Sequence, residues 1–223
     1  MKLYHGSKYI IDKPTFGKGK PYNDYGLGFY CTENIDMAKE WAVGPEIDGY
    51  ANSYSFNAKS LSILNLNNKK YCILHWLAIL VNNRIFDTNS ALAQEAKAYI
   101  TKNFMLPYED FDIIKGYRAD DSYFAFASDF LNGTISYRQL YSAMKLGNLG
   151  MQFVLKSKKA FEQIQFINAD EVEAATWYPR RASRDSKARK EYWSSKNNKL
   201  LPDDIFILDI IKNQMKEGDA RLR

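Results

Sequence analysis

Several short segments of the chain carry residue types that could do chemistry together. His5-Gly6-Ser7 puts an imidazole beside a glycine near the start of the sequence. Tyr30 follows a Gly-x-Gly turn and Trp41 comes about a dozen residues later, so two rings could enclose a flat cation, each contributing roughly 0.5–2 kcal/mol. Gln152 can hydrogen-bond a hydroxyl group, but it supplies no negative charge and takes no proton.

Because Gln152 lacks a charge, a reaction that needs one requires another carboxylate. Asp120 and Asp121 are adjacent and precede a helical run, so at least one could point towards Gln152. We expect Asp121 to offer charge or general-base assistance. The alternative is that one of the two acids only caps the N-terminus of the helix, and the sequence leaves both interpretations open.

The elements that must position these residues predict an α+β fold. Helical periods are expected at 35–43, 73–83, 89–103, 122–131, 136–146 and 202–215, and strands at 2–9, 28–32, 51–66, 152–155 and 165–167. Strands at both ends with helices between them favour a split sheet that brings early and late strands together. This topology would bring His5, Tyr30 and Gln152 near one cleft. The polar segment 14–25 is expected to be a surface loop.

Positive charge is concentrated late in the chain. Residues 1–175 hold 19 Lys and Arg against 19 Asp and Glu, while residues 176–223 hold 12 against 7. We therefore expect one domain over 1–175, followed by a basic segment and a C-terminal helix over 176–223. The basic segment could contact nucleic-acid phosphates, or it could be a solvated linker. The basic residues in question are Arg180, Arg181, Arg184, Lys187, Arg189 and Lys190.

Composition excludes several classes of protein. Hydrophobic residues make up 46% and charged residues 26% of the chain, an ordinary globular mixture. The longest apolar run, 72–81, is about half of the roughly 20 residues that a membrane-spanning helix needs, and the N-terminus does not resemble a signal peptide. We expect a cytoplasmic protein without membrane contact.

The two cysteines and two histidines fit no zinc-site spacing, so no metal is expected. His75 is interpreted as a structural residue.

The order of the motifs resembles the ADP-ribosyltransferase superfamily, in the branch of diphtheria toxin and poly(ADP-ribose) polymerase with a His-Tyr-Glu triad. His5-Gly6-Ser7 is similar to its His-Gly-Ser/Thr strand, and 26–30 to its Gly-x-Gly-x-Tyr strand. The resemblance implies a split antiparallel sheet with flanking helices. It also implies that His5 binds a ribose hydroxyl of NAD, that Gly6 holds the carboxamide, and that Tyr30 and Trp41 stack on the nicotinamide ring.

Two positions depart from the pattern of that branch. Ala38 stands where many relatives have a serine that hydrogen-bonds the carboxamide, so this contact is expected from the backbone or from Ser7. Gln152 stands in the place of the glutamate. With its Ala-Asp-Asp motif at 119–121, the chain is similar over residues 3–170 to a bacterial ADP-ribosyltransferase-like family, mostly catalogued as a domain of unknown function, in which this glutamine is usual.

The resemblance implies a NAD-dependent mono-ADP-ribosyltransferase that modifies a macromolecular acceptor, either protein, RNA or DNA. It further implies a bacterial toxin or phage-defence effector, with a small antitoxin protein as a possible partner. Two alternatives stay open. With glutamine in place of glutamate, water could be the acceptor, which would make the protein a NAD glycohydrolase. The chain could also be a catalytically inert module that binds a nucleotide, or a nucleic acid through its basic tail.

Overall fold

A mixed sheet forms the centre of the computed structural model of this chain. The structure describes residues 1–86, 88–119, 121–146 and 150–222, without the side chains of residues 121–123. In chain order, the strands of the described part are β1 (Lys2–Ser7), β2 (Phe29–Thr32), β3 (Gly49–Phe56), β4 (Ile63–Asn65), β5 (Ile113–Tyr117), β6 (Met151–Leu155) and β7 (Ile164–Val172). They lie in the order β4-β5-β6-β2-β1-β3-β7. Neighbours are antiparallel except β4 and β5, which are parallel.

Helices pack on this sheet, most of them on one face and one short helix on the other. They are α1 (Ile35–Ala42), α2 (Ile73–Asn83), α3 (Ala91–Phe104), α4 (Asp121–Leu131), α5 (Tyr137–Ala143), α6 (Lys158–Phe161), α7 (Ala174–Lys196) and α8 (Ile207–Lys212). Local sequence explains several helix starts. The side chain of Asn34 accepts hydrogen bonds from the first turn of α1, and Ser90 does the same for α3. Helix α2 is apolar on all sides because residues 73–81 are all buried.

The two faces of the sheet pack into different cores, because side chains alternate along each strand. On one face, Phe29 and Cys31 pack with Leu3 and Tyr54 in the second core. On the other face, Ile114 and Val154 join the main core beneath α2, α3 and α4. Successive residues of β2 therefore point alternately into the second core and into the main core.

The segment after residue 175 contributes to the main core. Tyr192 of α7 stacks on Phe126 with ring centroids 3.8 Å apart, and its hydroxyl donates to Asp129. Ile207, Ile210, Met215 and Leu222 are buried in the same core. Helix α7 and the residues that follow it are thus packed against the helices above the sheet.

The sequence predicted the α+β class, which the structure confirms, and it predicted α1 to α5 within a few residues, but it predicted neither strand β5 nor the longest helix, α7. The expectation of an exposed loop over 14–25 is wrong at its end, since Asp24 is 6% exposed and Tyr25 is fully buried. The last helix is shorter than expected, covering Ile207–Lys212. Within the described ranges, no helix combines the length and apolar character needed to cross a membrane.

Candidate functional site

Two central strands of the sheet, β1 and β2, separate next to His5. Strands β1 and β2 are paired at one position, Tyr4 with Thr32. From there β1 stays with β3 as far as Ser7, while β2 stays with β6 as far as Phe29. A gap therefore opens between the ends of β1 and β2, and we call this gap with its bordering residues the cleft.

His5 bridges the cleft. Its Nδ1 lies 2.7 Å from the carbonyl oxygen of Tyr30, and its ring packs on Phe29 with centroids 4.5 Å apart. A carbonyl oxygen only accepts, so Nδ1 carries the proton and Nε2 is an acceptor in the neutral ring. Burial lowers the pKa of His5, and the positive charge of Arg118 lowers it further. His5 is therefore neutral at pH 7 and offers Nε2 as a hydrogen-bond acceptor.

Gly6 allows α1 to lie directly on β1. A Cβ atom at this position would overlap the carbonyl oxygen of Ala38 and come within 2.6 Å of the backbone nitrogen of Ala42. Both obstacles are backbone atoms, so they cannot move aside without shifting the helix. Gly6 is thus required by packing, whatever else it does, and the close approach carries Trp41 of α1 to the side of the cleft.

Trp41 has two features that a ligand could use. Within the described residues its indole Nε1 is buried and has no hydrogen-bond partner. The guanidinium group of Arg118 lies against its ring, and Arg118 itself is 4% exposed. Arg118 and Trp41 are therefore neighbours, and Arg118 brings a buried positive charge next to the indole ring. The motif around Ala119 includes Arg118, which directly follows strand β5, but the sequence predicted no role for its side chain.

Tyr30 lies on the opposite face of the sheet from His5. It packs against the main core, whereas its neighbour Phe29 belongs to the second core. Its hydroxyl donates to the carbonyl oxygen of Gly26 at 2.6 Å and accepts from the backbone nitrogen of Tyr25 at 3.1 Å. Burial raises the pKa of Tyr30, so the phenol stays neutral. The hydroxyl group holds the preceding loop, which leaves the ring as the part that could meet a ligand.

Gln152 pairs with Thr32 of β2 and is 2% exposed. Its amide nitrogen donates to the carboxylate of Asp24 at 3.0 Å and lies 3.5 Å from the carbonyl oxygen of Tyr117. Gln152 and Tyr30 share one face of the sheet, because Gln152 and Val154 alternate with the residues of the second core. His5, Tyr30 and Gln152 therefore come from three neighbouring strands, with His5 on the other face.

Asp24 is the acidic residue that the sequence analysis missed. Its Oδ2 accepts from the backbone nitrogen of Ala119 at 2.9 Å as well as from Gln152, and its Oδ1 lies 3.0 Å from Nε of Arg84. Burial raises the pKa of Asp24, although the bond from Ala119 and the charge of Arg84 act in the opposite direction. Its position in a polar loop carried no signal of burial.

The Ala-Asp-Asp motif begins beside this carboxylate. Ala119 is bonded to Asp24, and α4 begins at Asp121. Asp120 and the side chain of Asp121 lie outside the described residues. The prediction that a carboxylate of this motif assists Gln152 therefore stays a prediction, while Asp24 is in direct contact with Gln152.

Residues 22–28, which we call the anchored loop, are fastened to the sheet at several points. Nζ of Lys156 donates to the carbonyl oxygens of Tyr25 and Leu27, both at 2.8 Å. The hydroxyl of Tyr25 donates to the carbonyl oxygen of Tyr117 at 2.5 Å. These bonds hold Asp24 against β5 and β6, so the carboxylate cannot swing into water without breaking them.

The six basic residues predicted to contact nucleic acid lie on α7 but do not share one face. Arg180, Arg184 and Lys187 line a groove of about 730 Å³ with Lys145. Arg184 is also bonded to Glu40 of α1, next to Trp41, at 2.7 Å. The turn of the helix directs Arg181 and Lys190 to the flanks, and Arg189 is paired with Asp185 on the far side. Three of the six thus form a basic groove that adjoins α1.

The larger cavity lies elsewhere, between the start of α2, helix α5 and residues 217–222. Its volume is about 1060 Å³, and we call it the C-terminal cavity. Two ion pairs lie in its wall: Arg138 with Asp204 at 2.8 Å and Arg221 with Asp219 at 2.7 Å. None of the residues that carry the predicted chemistry lines this cavity.

The residues that the structure describes contain no cluster of three or more His, Cys, Asp or Glu side chains arranged to hold a metal ion.

The fold and the site define an α+β protein with a polar cleft where two central strands separate. The chain belongs to the family described as "Protein of unknown function (DUF3990)", whose model matches residues 1–166. No curated protein and no solved structure matches the chain. The family match includes every residue of the cleft and ends before α7.

Proposed function

We propose that this protein is a NAD-dependent mono-ADP-ribosyltransferase. The observation that supports it best is the convergence of His5, Tyr30 and Gln152 on neighbouring strands at the point where β1 and β2 separate. This separation favours the split antiparallel sheet of ADP-ribosyltransferases. Trp41 adds an aromatic ring of the kind that holds a flat cation, and its indole Nε1 is buried without a partner among the described residues.

In the proposed reaction, the bond between nicotinamide and the anomeric carbon of the ribose breaks, and nicotinamide leaves with the electron pair. A nucleophile on the acceptor forms the new bond to that carbon and loses its proton. Nε2 of His5 accepts a ribose hydroxyl, and the side-chain oxygen of Gln152 accepts a second one. Holding the sugar in this way contributes to the rate through orientation.

His5 and Gln152 lie on opposite faces of the sheet, which restricts how one NAD molecule can touch both. The substrate must pass through the gap between β1 and β2 instead of lying on one face. The nicotinamide ring then replaces the guanidinium of Arg118 on Trp41 or uses the other face of the indole. In either case the positive charge of the ring favours the aromatic contact, and the contact weakens as neutral nicotinamide forms.

The basic groove on α7 adjoins α1 through the bond from Arg184 to Glu40. It gives the acceptor a positively charged surface next to the cleft, which suits RNA, DNA or an acidic protein. We place this activity in the bacterial cytoplasm, in a toxin or phage-defence effector. A small antitoxin protein is then the expected partner, since an uncontrolled ADP-ribosyltransferase harms its own cell.

NAD hydrolysis is the second candidate function, and one observation favours it. The carboxylate seen next to Gln152 is that of Asp24, which is buried and bonded to Ala119, Arg84 and Gln152 itself. A bulky acceptor therefore cannot easily reach this carboxylate to be activated, whereas a water molecule needs less room. The protein would then release free ADP-ribose.

Purified protein incubated with adenylate-labelled NAD decides between these functions. Separate reactions contain cell protein, RNA or DNA, and both nicotinamide release and label transfer are followed. Label on one polymer class supports the transferase and identifies its acceptor, while free ADP-ribose without label supports hydrolysis. The His5→Ala variant is the negative control and Trp193→Ala, an exposed position on α7, is the matched positive control. Wild-type protein that releases no nicotinamide with any acceptor would overturn both proposals.

A further inference from the structure

The direction of the Gln152 side chain is fixed by its surroundings. The group 3.0 Å from its amide nitrogen is the carboxylate of Asp24, and the next is the carbonyl oxygen of Tyr117 at 3.5 Å. Both only accept hydrogen bonds, so the NH₂ group of Gln152 must face them. The side-chain oxygen of Gln152 consequently points the other way, as a pure acceptor.

Asp24 can impose this direction because it is itself held in place. The backbone nitrogen of Ala119 donates to it at 2.9 Å, Arg84 lies 3.0 Å away, and the anchored loop is tied to β6 by Lys156. With 6% of its surface exposed, Asp24 has little water to compete for its lone pairs. A carboxylate bonded to the NH₂ group also shifts electron density towards the amide oxygen, which strengthens it as an acceptor.

We propose that Asp24 is a positioning residue that turns the oxygen of Gln152 towards a substrate hydroxyl, and that the Asp24–Gln152 pair does together what a single glutamate would do alone. This inference rests on the proposed function, because it assigns the substrate hydroxyl as the group that meets Gln152. Asp24 contributes a negative charge that acts on the substrate through Gln152, while Gln152 makes the direct contact with the substrate hydroxyl.

A charge swap follows from this pairing. In Gln152→Glu two carboxylates would lie about 3 Å apart, and their repulsion would favour protonation or displacement of one of them. In Asp24→Asn the NH₂ of Gln152 would meet an amide that no longer attracts it strongly. In the double variant Asp24→Asn/Gln152→Glu the pair again holds one negative charge, now at position 152, so the repulsion between two carboxylates is absent. The asparagine NH₂ that donates to this charge gives up the bond that Asp24 accepts from the backbone nitrogen of Ala119, so the recovery is expected to be partial.

The test is a four-protein cycle: wild type, Asp24→Asn, Gln152→Glu and the double variant. Nicotinamide release is measured over a range of NAD concentrations to separate kcat from KM. We expect each single variant to lose about 100-fold in kcat, since a misplaced catalytic contact has that order of effect. The double variant should recover to within about tenfold of wild type, which a merely structural role for Asp24 would not produce.

Asp112→Asn is the matched control for Asp24→Asn. Asp112 also accepts hydrogen bonds from a backbone nitrogen and a side chain, but it touches no cleft residue. Asp112→Asn should therefore keep wild-type kcat.

Asp24→Asn with wild-type kcat, or losses that multiply in the double variant, would overturn the positioning role while leaving the proposed function intact. Urea unfolding of the same four proteins gives a readout that does not depend on turnover. There the midpoint of the double variant should lie above the value expected from the two single changes. If the wild type releases no nicotinamide, the proposed function fails; strictly additive unfolding midpoints would separately refute the pairing of Asp24 with Gln152.

Discussion

The cleft and the C-terminal cavity each contain a buried or partly buried histidine, and the protein uses the two rings differently. In the C-terminal cavity, Nδ1 of His75 is held by the backbone of Cys72 at the start of α2, and its Nε2 faces the carboxylate of Glu217 at 3.6 Å. Nδ1 is thus bound by the protein, while Nε2 is buried without a hydrogen-bond partner among the described residues. In the cleft, His5 uses Nδ1 to bridge two strands and keeps Nε2 as an acceptor.

The buried glutamines of the two regions differ more clearly than the histidines. Gln139 beside the C-terminal cavity accepts from the backbone nitrogen of Ser136 and donates to the carbonyl oxygens of Ser195 and Lys196. The oxygen of its amide therefore caps α5, and the nitrogen ties α5 to the end of α7. Gln152 has its NH₂ group bonded within the protein and its oxygen directed elsewhere. The comparison teaches that the size of a cavity is a poor guide here: the glutamine beside the larger cavity uses both ends of its amide within the protein, whereas Gln152 in the cleft directs its oxygen away from its partners.

Replacing each histidine in turn is the most severe test of this comparison. His5→Ala removes the proposed acceptor for the ribose hydroxyl and should lower NAD turnover by about 100-fold or more. His75→Ala removes a helix cap and should instead lower the free energy of unfolding by about 1–2 kcal/mol, with kcat unchanged below the melting temperature. Turnover assays and urea unfolding on both proteins check this. The comparison breaks if His75→Ala is the variant that loses turnover while still folded.

Leu222 tests whether the residues around the C-terminal cavity contribute to stability and not to turnover. It is 2% exposed in the main core, and its carbonyl oxygen accepts from the hydroxyl of Tyr137 at 2.8 Å. Leu222→Ala should lower the free energy of unfolding by about 2–5 kcal/mol because it leaves a cavity. Calorimetry measures the loss, and the folded fraction should keep its turnover per molecule. A fall in kcat at a temperature where the variant is fully folded would contradict the assignment.

Among the four tryptophans, Trp41 and Trp193 form a matched pair. Trp41→Ala removes the proposed stacking contact, worth roughly 0.5–2 kcal/mol, and should raise KM for NAD by about 2–30-fold. Trp193 is 58% exposed on α7, so Trp193→Ala should leave KM unchanged. Steady-state kinetics distinguishes the two. Equal effects at both positions would remove Trp41 from the cleft's function.

The pH dependence sharpens the account of His5 and is the smallest effect expected. Burial lowers the pKa of His5 below its usual 6.5, so the neutral ring persists between pH 8 and 6.5 and Nε2 remains an acceptor. Protonation below that range removes the acceptor. We therefore expect kcat/KM to change by less than about twofold from pH 8 to 6.5 and to fall only at lower pH, where Asp24, with its raised pKa, also begins to take up protons. A loss of half the activity above pH 7 would show that His5 is not the group that titrates.

The sequence predicted α1 to α5 because their periodicity is local. It missed the short strand β5 and also α7, which buries few of its residues and so shows no clear apolar period. The continuous apolar run at 73–81 indicated a buried helix, and α2 begins and ends where expected. His5, Tyr30, Trp41 and Gln152 could be found because they stand in short motifs. Asp24 could not, since its burial depends on Lys156 and Tyr25 fastening the anchored loop to distant strands. Arg118 was missed for the same reason, as it gains its position only when β5 and α1 meet.

Asp24 and Gln152 are 128 residues apart in the sequence, and this distance matters while the protein is being made. At a synthesis rate of roughly 5–20 residues per second, the ribosome needs about 6–25 s to reach β6 after finishing the anchored loop. During that interval β2 lacks its neighbour β6, and a strand with an unpaired edge invites association with other chains. The unfinished chain is therefore without a complete cleft and is also the form most prone to aggregate, so chaperone binding to β2 during translation should matter more for yield than the stability of the finished fold.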